Sequence, residues 1–139
     1  GYFPISFSAA FDDEGEKRPV FSTNLILSVA EQYAIVCLES ICNEDERDFL
    51  RKVLTDGGKE IVEISQEQAK RFVGSAVQLE NVHGKKFLLI SQGAYDALTE
   101  SQLKALKAYN EILAVDIPTI ERLGGASVGS IVAGVFLAK

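Results

Sequence analysis

A stretch of about fifty residues occurs twice in this chain, and that repetition limits the fold more than any single motif does. The apolar run AIVCL at 34–38 returns as FLLI at 87–90, EIVEI at 60–64 returns as EILAV 51 residues later, and Gly74-Ser75 returns as Gly129-Ser130 55 residues later. In each run the order of patterns is strand, strand, helix, strand, so the unit is ββαβ. Repeats of this period form arrays, solenoids or propellers, because one unit cannot bury its hydrophobic face alone. The units fall at about 22–75 and 76–130, leaving opening strands that belong to a further unit. About three units are usually needed for a stable array. Apolar edges are therefore expected to be completed by a second chain or by self-association.

The local patterns fill in the unit. Tyr2 to Phe11 alternates loosely and is rich in aromatics, DDEGEKRP breaks the pattern with Gly15 and Pro19, and NLILSV at 24–29 resumes it, which predicts a hairpin. YAIVCLES at 33–40 is apolar almost throughout, as in a strand covered on both faces. Asn43 with Glu46, Ser65 with Gln68 and Thr99 with Gln102 have the spacing of capping boxes. Behind the first box Phe49, Leu50, Val53 and Leu54 share a helical face that Gly57-Gly58 ends; the second box opens a helix to about Phe72. Behind the third, Leu103, Leu106 and Tyr109 lie on one face. NVHGK at 81–85 is a turn between the strands 76–80 and 87–90, and Pro118 opens a short helix through Arg122. SIVAGVFLA at 130–138 is expected as an apolar strand.

Charge and composition narrow the partners. Hydrophobic residues make up 47% of the 139 and charged residues 24%, which suits one domain over 1–139. A net charge of −6 from scattered acids disfavours nucleic acid and anionic membrane surfaces. Apolar runs are far shorter than the roughly 20 residues that cross a bilayer, and no signal peptide is expected. Cys37 and Cys42 lie too close in sequence for a disulfide framework. Two reduced thiols suit an intracellular, cytoplasmic setting, an organelle also being open.

The repeat also aligns three serines. Ser75 and Ser130 each follow a glycine at the head of a strand, and Ser22, 53 residues before Ser75, stands at the corresponding head before Thr23-Asn24. In a radial arrangement such heads converge on one axis. Asn24, Gly125, Ser127 and Gly129 lie in the same small-residue segments and are the candidate ligand-binding residues, glycine allowing close approach of a ligand to backbone. A catalytic centre there would need a nucleophile, a base and an orienting group. The aligned positions carry three hydroxyls. Elsewhere, the one histidine, His83, belongs to a solvated turn, Cys37 to the core, NEDERD at 43–48 to a helix start, and EKR at 16–18 to a solvated turn. GGASVG at 124–129 lacks the lysine of a phosphate loop. No metal and no cofactor is expected.

FSTNLILSVAEQYAIVCLES, EISQEQAKRFVGSAVQLEN and PTIERLGGASVGSIVAGVFL together resemble the C-terminal half of the pentein superfamily, in particular its citrulline-hydrolase and amidinotransferase-like branch, over Gly1 to Lys139. The resemblance implies about half of a five-bladed α/β propeller of ββαβ units, in a family that modifies guanidino or ureido groups through a covalent cysteine. It implies a histidine at Ser22, an asparagine or aspartate at Ser75 and the cysteine nucleophile at Ser130, with an arginine and a glutamate commonly at Gly129 and Gly134. With serine at all three positions, a serine nucleophile would lack the adjacent base it needs. The expectation is a catalytically inactive pentein-like chain acting as a structural or interaction subunit, completed by a second chain or its own copy, its centre vacant or holding a small guanidino ligand. The alternative is one half of a split guanidine-modifying hydrolase or amidinotransferase acting on arginine- or citrulline-like substrates.

Overall fold

Residues 3–133 are described by a computed structural model, and in them the repeated pattern becomes a repeated strand order. β1 (Ala10–Asp13) and β2 (Glu16–Pro19) form a separate hairpin. β3 (Leu27–Val29) then pairs antiparallel with β4 (Tyr33–Val36), and after α1 (Glu44–Asp56) the chain returns as β5 (Glu60–Glu63), parallel to β4. α2 (Gln66–Lys70) leads out of this sheet. The second sheet repeats the order: β6 (Val77–Glu80) is antiparallel to β7 (Lys86–Ser91), and after α3 (Gln92–Tyr95) and α4 (Glu100–Lys107) comes β8 (Glu111–Val115), parallel to β7. α5 (Pro118–Gly124) and α6 (Val128–Ile131) follow. The fold is mixed α/β with tandem ββαβ units, and the second crossover uses two short helices where the first uses one.

The apolar middle strand has a physical reason. Successive side chains of a strand point to opposite faces. Tyr33, Ile35 and Cys37 enter a core shared with the second unit, beside Leu88, Ile90 and Leu106, whereas Ala34, Val36 and Leu38 pack with Leu50 and Leu54 of α1. Both faces are covered, so polar alternation is absent. The Cys37 thiol lies in the shared core, where burial pushes its pKa up, and Cys42 is exposed.

Two of the expected capping boxes also hold the units together. Ser65 with Gln68 and Thr99 with Gln102 make both reciprocal hydrogen bonds. Each glutamine then crosses the unit boundary, Gln68 Nε2 donating to Ala97 O at 2.8 Å and Gln102 Nε2 to Glu63 O at 2.8 Å. The Asn43 box is half made. Asn43 Oδ1 accepts from Asp45 N and Glu46 N, but the Glu46 carboxylate accepts from Ser8 N at 2.8 Å, a contact offered by the distant N-terminal segment. On α1 Leu50 and Leu54 are buried, while Phe49, expected on that face, is 48% exposed.

The N-terminal reading needs correction. The hairpin is β1 with β2, so EKR at 16–18 is a strand and the turn is Glu14-Gly15, both at positive φ. Nor does the strand of the first unit begin at Asn24: Thr23–Leu25 is a single 3-10 turn, and pairing starts at Leu27. Propensity could not place the start of that strand, because pairing with β4 decides it. The strand expected over 130–138 is a helical turn at Ser130 and Ile131, and its remainder from Gly134 lies outside the described residues.

The sharpest polar feature of the shared core is Tyr33, which stacks on Tyr109 with ring centroids 5.5 Å apart and accepts a hydrogen bond from Asn110 Nδ2 at 2.9 Å. Gln78 Nε2 donates to Asn110 Oδ1 and closes the chain of contacts. Burial pushes the Tyr33 pKa up to about 12, the Asn110 bond opposing it in part. The folded state therefore favours the neutral phenol, a contribution fully present below the ordinary tyrosine pKa of about 10 and lost as pH rises through about 12. Urea unfolding between pH 8 and 12 should show stability falling more steeply from about 10 upward in the native protein than in Tyr33→Phe. Equal slopes would remove Tyr33 as the cause.

Candidate functional site

Three short turns at matching positions of the repeat are stacked on one another. The first is the 3-10 turn Thr23–Leu25, preceded by Ser22; the second is the 3-10 turn Val73–Ser75; the third is α6. Glycine makes the stacking possible. A Cβ on Gly74 would collide with the carbonyl of Leu25, and one on Gly129 would sit 2.7 Å from Ser75 O. Each turn thus lies against the backbone of the preceding one, in a space where no side chain fits. An arginine at Gly129, which the pentein resemblance implies, has no room in this packing.

The stacking brings the three serines around Asn24. Ser22 Oγ donates to Asn24 Oδ1 at 2.5 Å, and Asn24 Nδ2 donates to Ser130 Oγ at 2.9 Å across 106 residues of sequence. Ser75 Oγ donates to the Asn24 carbonyl at 2.7 Å. Ser75 is buried, Ser22 and Asn24 are half-buried, and Ser130 is exposed. Asn24 therefore uses Oδ1, Nδ2 and its backbone carbonyl to tie together residues from three repeat positions. Sequence reasoning placed the serines on a common centre but gave no sign that Asn24 would be the atom-by-atom link.

The remaining candidates separate. Ser127 is fully buried and its hydroxyl donates to Glu121 Oε1 at 2.6 Å, so it is already engaged. Gly125 ends α5 at φ 61, in the left-handed region that favours glycine, and faces an open hollow. His83 lies in the exposed turn between β6 and β7, at the opposite end of β6 from Ser75, with Asn81 Oδ1 accepting from the backbone of His83 and Lys85. Among the described residues no carboxylate, imidazole or amine is hydrogen-bonded to Ser22, Ser75 or Ser130. Nor, among them, do three His, Cys, Asp or Glu side chains converge as a metal site would require, and no helix is long and apolar enough to cross a membrane. The arrangement holds hydroxyls and an amide, groups that position and hydrogen-bond but do not take a proton near neutral pH.

The model of the eukaryotic N,N dimethylarginine dimethylhydrolase family matches residues 1–137 of this chain. No curated protein matches it.

The stacked turns can be tested through their glycines. Gly74→Ala should destabilise by about 1–3 kcal/mol or more, because the new methyl meets a carbonyl that cannot rotate away. Gly129→Ala should have a similar but smaller effect. Gly124→Ala, whose Cβ would meet only Ile120 at 4.0 Å, should change stability little. Chemical denaturation measures all three, and a Gly74→Ala protein as stable as the native one would show that the turns are not in close contact.

Proposed function

We propose that this chain, which belongs to the dimethylarginine dimethylhydrolase family, is a catalytically inactive, pentein-like member that acts as a structural or interaction subunit. The observation that carries this reading is the Asn24 network: the converging turns offer hydroxyls and an amide, and among the described residues no carboxylate or imidazole is bonded to Ser130. A serine nucleophile depends on an adjacent general base. On this reading Ser22, Ser75 and Ser130 stand where the family's base, orienting group and cysteine would be, and the hydrogen bonds among them stabilise the stack of turns.

The tandem units are, on the same reading, about half of a five-bladed propeller that a second chain or another copy completes. The second unit supports this by what it leaves uncovered. Val62, two residues beyond the Glu60 that pairs with Tyr33, is 5% exposed beneath the second unit. Leu113 holds the same register, two residues beyond the Glu111 that pairs with Phe87, and is 41% exposed. Leu123 and Ile131, on the two helices that follow β8, are exposed as well. A further ββαβ unit placed as the second sits on the first would cover them.

Incubated with dimethylarginine, arginine or citrulline, the chain should give no ureido or amine product, and Ser130→Cys alone should not restore turnover. Turnover that disappears in Ser130→Ala would overturn the inactive reading and favour the split hydrolase instead. For assembly, native mass spectrometry and light scattering at micromolar concentration should find a complex, and Leu113→Glu with Leu123→Glu should dissociate it without unfolding the chain. A well-folded native monomer at that concentration would refute the subunit role.

A further inference from the structure

A groove between α2 and α5 is not used by the serine centre, and its chemistry differs from that of a guanidino site. It consists of two adjoining hollows of 330 and 230 Å³ that share Lys70 and Phe72. The smaller is aromatic, lined by Phe11, Phe21, Leu25 and Phe72, with Gly125 at its edge. Arg71, Pro118, Glu121 and Arg122 line the larger. Phe72, which forms the wall between them, adopts φ 64 and ψ 22, a left-handed conformation unusual for an aromatic residue.

The charges here run against those of the chain as a whole. In a protein of net charge −6, three cations border one groove against a single carboxylate. Lys70 is committed to Glu67 at 3.1 Å and Asp13 at 4.0 Å. Among the described residues Arg71 and Arg122 make no ion pair and no side-chain hydrogen bond, and Glu121 is turned to Ser127. Two uncommitted guanidinium groups, offset by one carboxylate, suit a monoanion and repel a guanidino compound. A long polyanion would meet the negative charge of the rest of the surface.

We propose that this groove binds a small amphipathic carboxylate, its aryl or alkyl body lying among Phe11, Phe21 and Phe72 and its carboxylate facing Arg71 and Arg122. The hollows are of ligand size and combine an apolar lining with a few polar groups at one end, as small-molecule sites do. Guanidinium groups present a planar fork that matches a carboxylate with two parallel hydrogen bonds. The groove also stays open when the exposed apolar face is covered. On α5, Pro118, Glu121 and Arg122 face the groove, and at 100° per residue Ile120 and Leu123 fall on the opposite side. The proposal is therefore independent of whether the serine centre is inactive.

The test uses the full chain, with any partner it carries, and two probes of like shape and opposite charge: 3-phenylpropionate and 3-phenylpropylamine. Titrated by amide NMR, the carboxylate should saturate at about millimolar or tighter and move signals of Phe72, Gly93, Arg122 and Gly125. The amine should leave them unmoved. Arg122→Glu and Arg71→Glu, both at exposed side chains, should each weaken the carboxylate about tenfold. Phe21→Ala, at a residue 81% exposed, should weaken it without unfolding the chain. Equal binding of the amine, indifference to both charge reversals, or no saturable shift up to about 10 mM would each overturn the proposal.

Discussion

The contact of Gly74 with the Leu25 carbonyl, and of Gly129 with the Ser75 carbonyl, fixes how the repeat units meet. Backbone against backbone leaves no side chain to act as a spacer, so the turn at each strand head is set within a fraction of an ångström of the one before it. The rest of the centre follows. Only at that spacing can Asn24, from the first turn, reach Ser130 Oγ in the third and offer its carbonyl to Ser75 Oγ in the second. The network and the glycines are one device: the close approach buries polar turn backbone, and the Asn24 hydrogen bonds help satisfy it.

Away from the centre the same units are joined by side chains. Gln68 and Gln102 each cap their own helix and bond across the boundary, while Tyr33, Tyr109, Asn110 and Gln78 form a polar chain inside an otherwise apolar core. Buried amides with both ends satisfied add specificity to a core that hydrophobic burial alone would stabilise in several registers. The second unit has no such neighbour on its far side among the described residues, which is why Leu113 is exposed where Val62 is buried. On α5 Ile120 and Leu123 are exposed as well.

Family membership and local chemistry point in different directions here. The family modifies a guanidino group, yet among the described residues no base is bonded to the converging serines, and the groove between α2 and α5 presents guanidinium groups of its own. On the proposed inactive reading, the chain keeps the packing that its fold requires, and its remaining surface chemistry can serve another ligand. The two proposals rest on different residues: hydroxyls and an amide in one case, arginines and phenylalanines in the other.

The sequence by itself determined the ββαβ repeat, the doubly covered middle strand of the first unit, two complete capping boxes and the alignment of Ser22, Ser75 and Ser130. Each depends on short-range spacing, which the order of residues states directly. The tertiary structure decided the rest. Glu46 left its capping box because Ser8 N, from a distant segment, competes for the same carboxylate. The first hairpin closed at Glu14-Gly15 because β1 and β2 pair with each other, although the residue pattern equally suits a longer turn. Asn24 became the link among the serines because two glycines let three turns approach until one side chain could span them. Phe21, Phe72, Arg71 and Arg122 form one groove for a related reason: helices separated by about fifty residues are brought side by side by the parallel return of each unit, and such through-space neighbours leave no period in the sequence.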